Sequence, residues 1–397
     1  MFFCGALQSI AAMAWWMLDL TGRHLHWHEP IAWTLPPSWA HAWLLLYGFF
    51  PFFIFGFLMT AGPNWLGAPR MPRATYVPAA LLMAAGIVAF YIGLATTRAV
   101  LALGTLAHLA GWIWGVAALA AVAARHWNHN ARYAIVIFTF VGVGIIGAAT
   151  FSIAVALGSF LHIHFALHGA VWFFLLPIFA GVSTRMVPFF SSRILGPEVD
   201  YRPFWARPIL MAGVVAHGAI ELVASQDLLW LVDLPLAVLI IYLAFRWGLG
   251  RQGSVRLLAM LHIPLAVLSC AFVLSGVLSV LVALGSITAV GLAPIHLLVI
   301  GYFASTVIGM VSRVSLGHSG RLVAADTLTW ACFIGAIVCG VVRAAAEFAR
   351  GGEPAVVLLL IAALIWLASF GTWAWRYVPM YLKPRVDARL TAAAVRR

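Results

Sequence analysis

A chain of 397 residues that is 64% hydrophobic and only 9% charged carries far more apolar surface than a soluble domain, in which about 45–50% apolar and 25% charged residues are usual. With a mean hydropathy of +1.04, the composition excludes a water-soluble globule and implies a polytopic membrane protein. The formal net charge of +12 does not indicate nucleic acid, because the basic residues stand singly between apolar runs and never form a patch with interleaved aromatics.

Apolar runs of roughly 17–25 residues are the length of a membrane-crossing helix. Twelve of them predict an all-α transmembrane helical bundle forming a single integral membrane domain over 1–397, with spans near 2–20, 41–62, 76–96, 99–124, 133–157, 165–190, 208–225, 228–247, 257–284, 288–312, 326–348 and 355–379. The first run continues to Asp19 without a basic start or a small-residue cleavage site, and is read as a span rather than a cleaved signal. The chain holds 23 basic residues. Only Arg23, Arg98, Arg343 and Arg350 fall in the odd-numbered connections; the rest lie in or beside the even ones and the C-terminal tail. Basic residues stay on the cytoplasmic side, so both termini are expected inside.

Pro51, Pro177, Pro188 and Pro264 fall within spans and predict kinks where neighbouring helices satisfy the freed carbonyls. Gly142, Gly144 and Gly147, and Gly335 with Cys339, suggest close-packing faces. Many of the 18 tryptophans, among them Trp15, Trp16, Trp39, Trp65, Trp205, Trp373 and Trp375, sit near span ends and suggest an interfacial aromatic belt. Cys4, Cys270, Cys332 and Cys339 fall in apolar runs and form no Cys-x-x-Cys pair, which indicates neither a disulfide framework nor a thiolate metal site; Cys332 and Cys339, seven apart on one helical face, read as small buried hydrophobes. The two six-span halves share no evident sequence repeat.

Acidic residues are scarce, and those nearest hydrocarbon (Asp19, Glu221, Asp227, Asp233, Asp326 and Glu347) mostly lie near span ends, which argues against proton-coupled transport. Histidine is plentiful instead, with 14 in the chain. One group lies at the expected outer face: His24, His26, His28, His41, His162, His164 and His168. His164 and His168, at i and i+4, share a helical face suited to imidazole chelation of copper or zinc. A second group, His108, His217, His262 and His296, falls within the bilayer. His108, His217 and His296 are expected near mid-depth. A lone buried imidazole usually bonds a carbonyl or hydroxyl, but four in one bundle suggest ligands, since imidazoles from facing helices hold membrane haem b and further imidazoles beside a haem hold copper. His217 accordingly joins His164 and His168 as a candidate metal ligand. Covalent haem attachment is excluded by the lack of Cys-x-x-Cys-His.

The stretch Pro294–Arg321, PIHLLVIGYFASTVIGMVSRVSLGHSGR, couples an intramembrane His296 to an abruptly polar end with Arg313, His318 and Arg321. It resembles the signature of the NnrS family of bacterial membrane proteins. His41–Trp65 (HAWLLLYGFFPFFIFGFLMTAGPNW), Leu175–Phe190 (LLPIFAGVSTRMVPFF) and Leu257–Gly276 (LLAMLHIPLAVLSCAFVLSG) are similar to three further family elements, in the same order. Where many members carry His-x-His-Glu at the second helix, this chain has His41, Trp43 and Leu44.

The resemblance implies a multi-pass protein of the bacterial inner membrane that binds haem b and copper and takes part in nitric oxide metabolism or resistance to nitrosative stress. It implies His41, His262 and His296 as haem or copper ligands. Arg185 and Arg313, each at the expected cytoplasmic end of a span, are candidate partners of haem propionates, with ordinary positive-inside anchoring as the alternative. Catalytic residues are not identified, so redox turnover of nitric oxide stays open. Electrons would come from a partner protein, because no flavin or dinucleotide motif is present. The alternatives are a haem-free copper or small-solute transporter, and a non-catalytic haem sensor.

Overall fold

Lipid offers no water to the backbone, so a segment that spans it must bond its own carbonyls and amides, which selects helices here. The computed structural model describes residues 1–386 other than 129, 130, 160, 224 and 350. Of the residues used for orientation, Arg350, Arg389, Arg396 and Arg397 therefore lie outside the described residues. The chain is 81% helical with no strand among the described residues. It divides into two compact units, Met1–Val182 and Ser183–Arg397. The helices are α1 (Phe2–Leu25), α2 (Pro37–Leu46), α3 (Phe50–Trp65), α4 (Arg73–Ala95), α5 (Arg98–Arg125), α6 (Ala131–Leu157), α7 (Ile163–Gly169), α8 (Leu176–Leu195), α9 (Ala206–Leu222), α10 (Trp230–Arg246), α11 (Arg256–Ala283), α12 (Ala293–His296), α13 (Ser305–His318), α14 (Thr327–Phe348) and α15 (Gly352–Leu382).

Each of the twelve expected runs coincides with helix. Ten segments among the described residues are long and apolar enough to cross a membrane. Runs seven and eight are α9 and α10, of 17 residues each, which at 1.5 Å per residue reach about 25 Å, short of the roughly 30 Å hydrocarbon core. Two spans are interrupted by π-helix: Ala170–Leu175 joins α7 to α8, and Leu297–Ala304 joins α12 to α13.

In the first unit, α4 and α5 meet along a seam of glycines spaced seven apart, Gly86 and Gly93 on one helix, Gly104 and Gly111 on the other. A Cβ on Gly104 would lie 2.5 Å from the Phe90 amide nitrogen and one on Gly111 2.8 Å from the Ala79 carbonyl; on Gly86 or Gly93 it would strike the His108 or Leu101 backbone. This is the small-residue packing that lets backbones touch where lipid supplies no hydrophobic drive. The glycines singled out in the sequence behave differently. Nothing lies within 4 Å of a Cβ on Gly142, whereas Gly144 packs under Trp112 and Phe174, and Gly147 under the Tyr47 hydroxyl. Gly335 faces the Ser369 hydroxyl.

In the second unit Pro264 removes the amide that would bond the Met260 carbonyl, four residues earlier. That carbonyl points at α13, where a Cβ on Gly309 would come within 2.8 Å of it, so only glycine permits the approach. The Cys339 thiol donates to the Ala362 carbonyl at 3.1 Å, tying α14 to α15; Cys332 is buried likewise. The aromatic belt needs correcting. Trp375 is exposed, but Trp15, Trp65 and Trp373 are buried, and the Trp373 indole donates to Ser312 Oγ at 2.9 Å. Proximity to a span end did not distinguish a lipid-facing ring from one turned inward to a hydroxyl.

Because the α4–α5 seam is backbone against backbone, Gly86→Val is expected to destabilise the folded protein by about 1–3 kcal/mol, read as a lower unfolding midpoint in detergent. Gly142→Ala, made into open space, should leave the midpoint unchanged; equal effects of the two would contradict the seam.

Candidate functional site

The first unit uses its histidines in three ways. Pro51 deprives the Tyr47 carbonyl of its helical donor, and His108 Nε2 lies 2.8 Å from that carbonyl while Nδ1 lies 3.0 Å from the Met83 carbonyl of α4. The Tyr47 hydroxyl in turn donates to the Ala166 carbonyl of α7 at 2.6 Å, and Trp112, one turn along from His108, donates to the Val141 carbonyl of α6 at 3.1 Å. With both ring nitrogens against carbonyls, His108 braces the α2–α3 break and is not disposed to ligate. His28 is similar, Nε2 lying 3.0 Å from the Leu18 carbonyl and Nδ1 2.8 Å from that of Glu29; His24 and His26 are exposed.

His41, half-buried on α2, stacks on Trp16 of α1 with centroids 4.3 Å apart and planes at 24°. That indole also meets the Arg23 guanidinium, 5.3 Å from its centroid, and the Trp15 ring. Arg23 pairs with Asp19, whose second oxygen accepts from the Trp33 indole at 3.0 Å. Asp19 is thus 4% exposed and satisfied at both oxygens. Stacking occupies a face of the His41 ring and leaves coordination to its edge.

His164 and His168, one turn apart on α7, bring their rings to 4.0 Å. His217 belongs to the second unit, where Nδ1 lies 2.5 Å from Asp233 Oδ1. Among the described residues no group of three or more His, Cys, Asp or Glu side chains is placed to hold a metal ion.

In the second unit the candidates separate into two levels. His262, six residues into α11, is 0% exposed; Nε2 bonds Ser191 Oγ of α8 at 2.9 Å, and Nδ1 is buried without a hydrogen-bond partner. Beside Ser191, Phe190 carries the Arg313 guanidinium 4.1 Å above its ring, and Arg313 Nε is likewise buried without a partner. A cation over an aromatic face tolerates such partial desolvation. The other level is His296. It is the fourth residue of its helix, about 5 Å in, so the mid-depth expectation is corrected: the helix begins at Ala293, later than the apolar run. Its Nδ1 lies 2.8 Å from the Leu292 carbonyl. A carbonyl only accepts, so Nδ1 carries the proton and Nε2 the lone pair, the tautomer a metal-ligating histidine needs. His296 and Arg313 stand seventeen residues apart, about 25 Å along one helix, beyond the reach of a single macrocycle.

The two π-helices expose a pattern that the sequence reading missed. Each begins beside a histidine, two residues after His168 and one after His296. From that histidine both stretches read His-x12-Gly-x2-Ser/Thr-Arg: His168, Gly181, Thr184 and Arg185, then His296, Gly309, Ser312 and Arg313. The absence of a repeat is therefore corrected to one short duplication. Aligning the chain on histidine-to-arginine spacing would have found it; hydropathy cannot, because both stretches are uniformly apolar. π-Turns are disproportionately functional, which singles out these two spans. Arg185 is half-buried, and His318 is exposed at the end of α13.

A family model described as NnrS protein matches residues 1–385. The chain belongs to the NnrS family. No curated protein and no solved structure matches it. The haem that membership of the NnrS family brings into question needs an imidazole lone pair facing room for a macrocycle. His296, half-buried, has the tautomer such a group needs, and the stacking of His41 on Trp16 leaves its ring edge uncovered by that indole. His262 does not fit in this packing: protein encloses its ring completely and Ser191 engages Nε2. Arg313 fits an anionic carboxylate at the opposite level.

Replacing His108 by Leu removes the N–H that the neutral imidazole donates to the carbonyl freed by Pro51, at about 1–3 kcal/mol for an unsatisfied group. The expected result is a markedly lower unfolding midpoint with no change in whatever cofactor the purified protein carries; loss of cofactor at an unchanged midpoint would instead make His108 a ligand.

Proposed function

We propose that this multi-pass membrane protein binds haem b through His296 and serves nitric oxide metabolism or protection against nitrosative stress at the bacterial inner membrane, with both termini cytoplasmic. The observation that carries the reading is the His296 imidazole, its Nδ1 proton held by the Leu292 carbonyl 2.8 Å away and its ring placed directly before a π-helix. NnrS membership gives the reading its chemical direction. Bound haem would supply an iron centre for a diatomic ligand, with electrons delivered by a partner protein.

The chain's own residues orient and shield that centre. The Leu292 carbonyl fixes which nitrogen coordinates and raises its basicity. Buried Leu298, Val299 and Ile300 follow on the π-helix and keep water away, while nitric oxide, apolar and uncharged, enters through hydrocarbon without a channel. His41 against Trp16 supplies a second imidazole in the first unit, and the neighbouring His164 and His168 rings are the pair best suited to copper. Arg313, resting on Phe190, supplies positive charge at the level opposite His296.

A second reading, a haem-free copper or small-solute transporter, draws on the division into two compact units and on the duplicated His-to-Arg stretch, since many transporters are built from internal repeats. Optical spectra of the purified protein separate the two. The haem reading expects a Soret band and paired α and β bands on reduction, and a colourless preparation overturns it in favour of transport. In the haem-bearing protein, His296→Ala is expected to remove most of the haem while the chain still inserts; undiminished haem in that variant would take His296 off the ligand set.

A further inference from the structure

Helix α10 keeps one face exposed. Leu231, Pro235, Val238 and Tyr242, spaced by four, three and four residues, lie open along it, and together with Leu234 they line a groove of about 950 Å³. The groove is deep because Leu234 sinks against α11: a Cβ on Gly276 would lie 2.7 Å from Leu234 Cδ2, so glycine gives that leucine its room. The opposite face of α10 is spent on the fold, with Leu236 packed over Gly213 of α9.

Both ends of the groove are aromatic. Trp230 closes one, Trp205 and Tyr242 the other, an arrangement suited to the polar edges of a bilayer. From Leu231 to Tyr242 the helix rises about 17 Å, close to the ~15 Å of hydrocarbon that belongs to one leaflet. Arg246 follows Tyr242 by one turn on the same face. Its guanidinium lies 4.1 Å from the centroid of the Tyr201 ring. That ring is itself anchored, its hydroxyl 3.3 Å from the Tyr242 hydroxyl and its carbonyl accepting from the Trp247 indole at 2.7 Å. The carboxylates of the same connection, Asp200 and Glu198, pair with Arg202 at 2.6 Å and with Arg251 at 2.8 Å.

We propose that this groove binds a phospholipid with a negatively charged headgroup, its acyl chains lying over Leu234, Pro235 and Val238 and its phosphate meeting Arg246. A hollow surface gives an acyl chain contacts on several sides, where a smooth helix gives them on one, so dispersion favours a chain seated in the groove over one that only touches the protein. A guanidinium stacked on an aromatic ring keeps its edge N–H groups for a phosphate, which it meets through parallel hydrogen bonds. Charge then decides the class of lipid. Arg202, Arg207, Arg246, Arg251 and Arg256 in the two flanking connections outnumber Glu198 and Asp200, so this mouth of the groove is positive and favours a phosphate that carries no compensating ammonium. The distribution of basic residues sets the same mouth on the cytoplasmic side. Nothing in this inference depends on haem or on nitric oxide.

The test is native mass spectrometry of the full-length protein in detergent, titrated with dioleoyl phosphatidylglycerol and, separately, with dioleoyl phosphatidylcholine. Wild type is expected to retain one phosphatidylglycerol at lipid concentrations about fivefold below those needed for phosphatidylcholine, the discrimination that one arginine supplies. Arg246→Gln should bring the two lipids level. Val238→Trp, which fills the groove without altering charge, should weaken the retention of both. Each position is exposed, so both variants are expected to fold. Equal retention of the two lipids by the wild type would overturn the proposal, as would a preference for phosphatidylglycerol that survives Arg246→Gln. A tightest-bound lipid unaffected by Val238→Trp would place it elsewhere on the surface, and a lipid-free dimer that Val238→Trp dissociates would give the groove to a second copy of the chain; either result overturns the assignment.

Discussion

A backbone carbonyl that loses its helical donor inside lipid has no water to turn to, and much of this molecule is organised around that constraint. Pro51 frees the Tyr47 carbonyl, which then draws His108 from α5; the Tyr47 side chain reaches on to α7, and Trp112 ties the same helix to α6. The missing N–H thus accounts for the contact of α5 with the α2–α3 break, and the Tyr47 and Trp112 side chains extend the brace to α7 and α6. In the second unit Pro264 frees the Met260 carbonyl and the answer is different: glycine on the facing helix lets the backbone itself come close.

That constraint also decides which histidines are available for chemistry. A buried imidazole can satisfy a carbonyl, pair with a carboxylate or ligate iron, and the geometry assigns these roles one by one. His108 and His28 have a carbonyl beside each ring nitrogen and donate to one of them, and His217 is engaged by the Asp233 carboxylate. His262 spends one nitrogen on Ser191 inside a packed core. At His296 the Leu292 carbonyl fixes the proton on Nδ1, so the lone pair of the ring lies on Nε2. Counting histidines per bilayer treats all of these alike; counting the acceptors around each ring separates them.

The helices were legible because apolar length is written along one dimension of the chain. Their interruptions were not. A π-helix in a stretch such as Leu297–Ala304, apolar at every position, leaves no break in hydropathy and no change in periodicity. The duplication of His168 to Arg185 in His296 to Arg313 was present in the letters, but its significance rests on the π-turns that follow both histidines. The glycine seam of α4 and α5 was likewise present as two heptad pairs, yet Gly142 and Gly144 look as persuasive in the sequence, and only the facing backbone tells them apart. His296, His41 and Arg313 drew notice as isolated polar residues in apolar helices. That rule finds residues and leaves their partners unspecified, which is why a single haem spanning His296 and Arg313 was compatible with the letters and is incompatible with about 25 Å of helix between them.

Asp233 and Glu221 show the same limit from the other side. Each lies within a turn of a helix end, where a carboxylate ordinarily reaches water, and proximity to the end was taken as exposure. The two helices are short, however, and their connection folds tightly enough to turn Asp233 inward against His217. Depth in a membrane protein is set by what covers a residue as well as by its distance from the end of its span. A hairpin tip buried by a neighbouring helix is therefore a place where ionisable groups can be kept dry without lying near mid-bilayer. With only 11 acidic residues in the chain, bringing two of them to one imidazole is a use of carboxylates that their positions near helix ends did not announce.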